Sequence, residues 1–90
     1  MSLAAVVHQR GGRYLMKPVD GFWEFPMFPE LPAGEFEMAG RCRHTITHHR
    51  LDVIVYRGGL KRTPGYEWKE IATVPISSLT RKIAALALQP

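Results

Sequence analysis

The residues with chemistry to offer crowd into one stretch, Arg41 to Arg57, which reads R-C-R-H-T-I-T-H-H-R-L-D-V-I-V-Y-R. It holds three of the four histidines, four of the twelve basic side chains and the single cysteine. On an extended chain Cys42, His44 and His48 would share one side, a spacing that three ligands of a metal ion could use. A turn at residue 47 breaks that alignment, and no second cluster supplies a fourth ligand, so His44 reads as structural. Thr45, Thr47, His48, His49 and Arg50 carry donors and acceptors on short or rigid side chains. That set suits a polar turn, and also a loop that grips a polar ligand. Hydrolysis through paired carboxylates has less support. Glu35 and Glu37 lie two apart, and Glu67 and Glu70 three apart in a stretch of strand character, so neither pair is placed to hold Mg²⁺.

The elements that must position this stretch follow from local pattern. Leu51 to Tyr56 is rich in β-branched and aromatic residues and bounded by Arg50 and Gly58-Gly59, which predicts a strand. With the polar residues before it, it predicts a hairpin turning near Thr47-His48-His49. Upstream, Leu3 to Gln9 and Tyr14 to Val19 are apolar runs joined across Gly11-Gly12, another hairpin signal. Asp20-Gly21 is a turn, and Phe22-Trp23-Glu24-Phe25-Pro26 supplies aromatics for a small core. Pro26 to Gly40 holds three prolines and two glycines and sustains no period, which predicts a surface loop with room for a short strand at Glu35 to Met38. Gly58 to Gly65 reads as a loop, and Tyr66 to Val74 as a strand with Tyr66, Trp68 and Ile71 inward. Ser77 or Ser78 caps a helix that carries Leu79, Ile83, Leu86 and Ala87 on one face and ends near Leu88. Several strands and one terminal helix make an α+β domain with mainly antiparallel pairing.

Ninety residues allow one domain, and a chain this short buries only about two-thirds of the surface it would expose unfolded. An apolar content of 46% with 22% charged residues is that of an ordinary globular protein. No apolar run nears the roughly 20 residues that span a bilayer, no signal-peptide pattern opens the chain, and one cysteine makes no internal disulfide. The expected compartment is the cytoplasm, with no membrane partner. Net charge is +4. The excess is uneven, with Glu24, Glu30, Glu35 and Glu37 set between two basic regions. A basic surface fits a polyanionic partner as well as it fits simple solubility.

Three ordered segments resemble a known family. Lys17-Pro18-Val19-Asp20-Gly21-Phe22-Trp23-Glu24-Phe25-Pro26 is similar to the K/R-P…G-L-W-E-F-P segment of the Nudix superfamily, especially its branch at the C-terminus of MutY adenine DNA glycosylases. His44-Thr45-Ile46-Thr47-His48, continued by Arg50-Leu51-Asp52-Val53, resembles the H-x-F-S-H…L motif of that domain. Trp68 with Val74-Pro75-Ile76-Ser77-Ser78 and Arg81-Lys82-Ile83 looks like its closing segment. The resemblance covers most of the chain outside residues 27 to 40. It implies a shortened Nudix-like fold over residues 1–90, excised from a longer enzyme.

It also implies a function: recognition of 8-oxoguanine opposite adenine in double-stranded DNA, for base excision repair at the nucleoid. Ile46, Thr47 and His48 inherit the loop that reaches the oxidised base. His44 and His49 support that loop, and Arg10, Arg13, Arg43 and Arg50 are candidates for the DNA backbone. No catalytic residue, metal or cofactor is assigned to this chain. In the family an N-terminal glycosylase domain excises the adenine and carries the iron–sulfur cluster. Ile46 departs from the family's Phe, and the Nudix box R-E-x-x-E-E is missing. Two alternatives stay open: a degenerate Nudix hydrolase acting on oxidised nucleotides with Mg²⁺, and a protein-interaction module of the same fold.

Overall fold

Two turns at which L-residues seldom sit shape the first third of the chain. Gly11 and Gly12 have φ of 56° and 79°, and Asp20 and Gly21 have φ of 50° and 86°. Paired positive φ values are what a two-residue hairpin needs if its twist is to match that of its strands, and Gly and Asp supply them at low steric cost. A computed structural model describes residues 1–88, with the backbone but not the side chain of Ile46. Its strands are β1 (Ser2–Val7), β2 (Gln9–Arg10), β3 (Arg13–Val19), β4 (Phe22–Glu24), β5 (Met27–Phe28), β6 (Gly34–Ile46), β7 (His49–Leu60) and β8 (Glu67–Lys69). A 3₁₀ turn at Ile71–Thr73 leads to helix α1 (Ser78–Ala87).

The strands make two sheets. The larger has the order β5-β1-β7-β6, with β1 parallel to β7 and the other pairs antiparallel. In the smaller, β3 pairs with β2, β4 and β8, all antiparallel. Phe25-Pro26 ties the sheets together, because the Pro26 carbonyl accepts from the Val6 N–H at 2.9 Å and Phe25, 1% exposed, meets Tyr14 edge-to-face. Helix α1 lies against the larger sheet. Ser77 caps it by accepting from the Thr80 N–H, and Leu79, Ile83 and Ala87 are buried with Ala5, Val7, Val53 and Val55. On the sheet's opposite side Val6, Leu15 and Leu60 form a smaller cluster flanked by Phe28, Phe36, Tyr66 and Trp68.

Four expectations from local pattern need correction. Residues 27 to 40 are not mainly a surface loop, since β5 and the first half of β6 lie within them. The reason is tertiary: β7 offers a ladder along the whole of β6. For the same reason β7 runs through Gly58-Gly59 to Leu60 instead of stopping at Tyr56. Gly58 faces Phe36, and a Cβ there would meet the Phe36 ring and the Glu35 carbonyl oxygen. The run from Tyr66 to Val74 is a strand only at Glu67–Lys69, because the Thr73 N–H and hydroxyl both turn back to the Glu70 carbonyl, at 3.0 and 2.8 Å. Phe22 is exposed and does not fill the core.

One hydrogen bond in this frame depends on pH. His8 Nδ1 accepts from the Leu60 N–H at 3.2 Å, and the ring stands edge-on to Trp68. Partial burial first, and the nearby Arg10 charge second, hold His8 below its ordinary value of 6.5. The unfolded chain therefore binds the proton more readily, so this contribution is present above pH 6.5 and is lost as pH falls through the folded value. Urea unfolding at pH 7.5 and 5.5 should show a larger loss for the native chain than for His8→Gln, whose amide oxygen can accept the same bond without titrating. Equal losses would remove His8 from the account.

Candidate nucleic-acid interface

Strands β6 and β7 form one long hairpin. Ile46 pairs with His49, so Thr47 and His48 are its two-residue turn, and both are exposed. Thr47 has φ of 55°. A β-branched residue in the left-handed region costs roughly 1–2 kcal/mol, and such strain tends to persist where function holds it. The side chain of Ile46, expected in the recognition loop, lies outside what the structure describes.

Strand alternation sorts the ribbon into two faces. Cys42 opposite Val53 and His44 opposite Leu51 turn towards α1. Arg41, Arg43 and Thr45, with Arg50 and Asp52 across from them, occupy the other face. Cys42 is half-buried beneath α1, and burial pushes its thiol upward. His48 sits in the exposed turn, outside the ladder that carries Cys42 and His44. Among the described residues no three metal-ligating side chains come together.

Near the tip α1 reaches over to hold β6. Lys82 Nζ lies 3.2 Å from the Arg43 carbonyl oxygen and 3.3 Å from His44 Nδ1. An ammonium can only donate, so Nδ1 accepts and a neutral His44 ring carries its proton on Nε2. His44 is thus a brace, fixed from the helix. His49 is the first residue of β7 and pairs with Ile46 across the turn.

The four arginine candidates divide. Arg43 and Arg50 lie on the open face beside the tip; Arg43 Nε is 3.2 Å from Asp52 Oδ1, an exposed pair of little energetic weight. With Arg41 included, the face carries three arginines against Asp52, a local excess of 3 − 1 = 2 positive charges. Arg10 and Arg13 lie elsewhere. β1 runs parallel to β7 from Asp52 to Arg57, carrying the chain away from the tip. Arg10 then stacks on Trp68 at 5.0 Å, next to the His8 that bonds Leu60, and Arg13 faces Glu70 at 3.9 Å. Leu60 is ten positions along β7 from Arg50, roughly 30 Å at strand rise. The carboxylates weighed for hydrolysis are dispersed as well, with Glu37 on Arg57 at 3.0 Å and Glu67 on Lys69 at 3.9 Å.

Sequence reasoning missed two contributors. Arg41 could have been found, since it alternates with Arg43 and Thr45 on a strand. Lys82 could not, because only the docking of α1 brings it to the hairpin.

A mixed sheet with a smaller antiparallel sheet at one side, a C-terminal helix and a projecting basic hairpin make up a small α+β domain. The chain is similar in structure to the C-terminal domain of mouse MUTYH, solved in complex with human PCNA, with a TM-score of 0.68. The match covers 97% of this chain and 86% of that one at 21% identity, so the likeness is one of fold. No protein-family profile matches the sequence, and no curated protein matches it.

Glycine at the tip gives up the methyl and hydroxyl but relieves the strain. Thr47→Gly should raise the Tm by a few degrees, since about 1–2 kcal/mol of relief exceeds the roughly 0.5–1 kcal/mol of added chain entropy. A fall in Tm measured by calorimetry would mean that the Thr47 side chain stabilises its own turn.

Proposed function

We propose that this domain binds DNA and reads 8-oxoguanine opposite adenine, as the recognition part of an A/G-specific adenine DNA glycosylase. One observation carries the reading: the Thr47-His48 turn stands at the end of a ribbon whose open face is lined by Arg41, Arg43 and Arg50. The fold likeness to a MUTYH domain supports it.

The chemistry suits the groups present. Oxidation converts guanine N7 from an acceptor to an N–H donor and adds an acceptor oxygen at C8. A hydroxyl acceptor beside a backbone N–H distinguishes the two bases, and Thr47 offers both at the tip. Ile46 is the apolar wedge in this reading, and His48 touches the backbone or steadies the turn. The arginines hold phosphates and fix orientation without reading sequence. Excision belongs to a separate helix-hairpin-helix domain, along with the iron–sulfur cluster, since Cys42 alone cannot hold a four-cysteine cluster. That glycosylase domain is then a partner in the same protein. A second reading comes from the similar MUTYH domain, which was solved with PCNA: a domain of this fold also docks a protein.

Titration of the 90-residue chain against 8-oxoguanine·A and G·A duplexes tests the readout. The oxidised duplex should bind more tightly, and Thr47→Ala should lose about 1–3 kcal/mol on that duplex alone. Arg41→Ala, Arg43→Ala and Arg50→Ala should weaken both duplexes alike, each reducing the salt slope by about 1. Equal affinity of the native chain for the two duplexes contradicts the proposal.

A further inference from the structure

The apolar cluster on the side of the larger sheet away from α1 is incompletely covered. The connection from Pro29 to Ala33 and the loop from Lys61 to Gly65 stand on either side of a cleft of about 460 Å³. Its floor is Phe28, Leu60 and Tyr66, all continuous with the packed cluster of Val6 and Leu15. Pro32 and Pro64 form its walls, and Lys61 and Arg62 its lip.

These features specify an occupant. The volume falls within the range of small-ligand sites, roughly 300–1,000 Å³. A floor built into the core and two prolines in the walls leave little to order on binding, so the loss of freedom is small. The lip is cationic, and among the described residues neither Lys61 nor Arg62 forms an ion pair with a carboxylate. The apolar walls offer few groups to read the edge of a nucleobase. An aliphatic or aromatic side chain with carboxylates next to it matches both the walls and the lip.

We propose that this cleft docks a short peptide segment of a partner protein, seating an apolar side chain on Phe28, Leu60 and Tyr66 with flanking Asp or Glu residues against Lys61 and Arg62. The site is at the Leu60 end of β7 and the Thr47-His48 turn at the His49 end, so a peptide and a DNA duplex can be held together. The inference stands independently of the DNA reading.

A random heptapeptide library displayed on phage, selected on the full chain, tests it. Enriched peptides should carry an apolar residue flanked by Asp or Glu, and the synthetic peptide should shift the amide resonances of residues 28, 33, 60–63, 65 and 66. Lys61→Glu with Arg62→Glu should weaken that peptide by roughly tenfold or more through charge reversal at the lip. Ala33→Trp, which fills the cleft and keeps its charges, should abolish binding while 8-oxoguanine·A affinity stays unchanged. No enrichment over the Ala33→Trp chain, enrichment without acidic residues, or shifts confined to the Arg41–Arg50 ribbon would each overturn the proposal. Loss of duplex discrimination with peptide binding intact would instead sink only the DNA reading.

Discussion

Val53 and Val55 are wholly buried between the larger sheet and α1, and the rest of the molecule depends on that seating. Strand β7 has β1 on one edge and β6 on the other, so its register governs both pairings. Moving it by one residue would turn the valines outward and drive Asp52 and Ile54 beneath the helix. The arginines of the open face point away from α1 because the valines point towards it. Core packing therefore sets the charge pattern of the surface, and no separate device is needed to aim the basic side chains.

The same logic explains how a protruding hairpin is held in one direction. A two-stranded ribbon is marginal alone, but β1 pairs with β7 as far as Asp52, and Lys82 reaches β6 at Arg43 and His44. Only the last few residues extend beyond this support. Strain at Thr47 is concentrated there, where the neighbouring pairs overdetermine the backbone. A rigid base and a strained, exposed tip suit a contact that must be presented in one geometry.

Local signals made much of this legible. Gly11-Gly12 and Asp20-Gly21 announced their turns, Ser77 its cap, and the H-T-I-T-H run its hairpin, because each is decided within a few residues by sterics or hydrogen bonding. What the sequence obscured is tertiary. Gly58-Gly59 looks like a loop until Phe36 lies across from it, and Tyr66 to Val74 looks like a strand until Thr73 turns back to Glu70. The parallel pairing of β1 with β7 has no local signature at all. It is also what separates Arg10 and Arg13 from Arg43 and Arg50, so charges that look alike along the chain serve different ends of the molecule.

On the proposed reading, an oxidised base is told from an ordinary one at the β6–β7 tip. Amide chemical-shift mapping of the ¹⁵N-labelled chain with 8-oxoguanine·A and G·A duplexes examines this residue by residue. Arg41, Arg43 and the strands beside them should shift equally with both duplexes, while residues 46–50 shift differently between them. Identical shifts at the tip, or a difference confined to the Arg10–Arg13 hairpin, would contradict it.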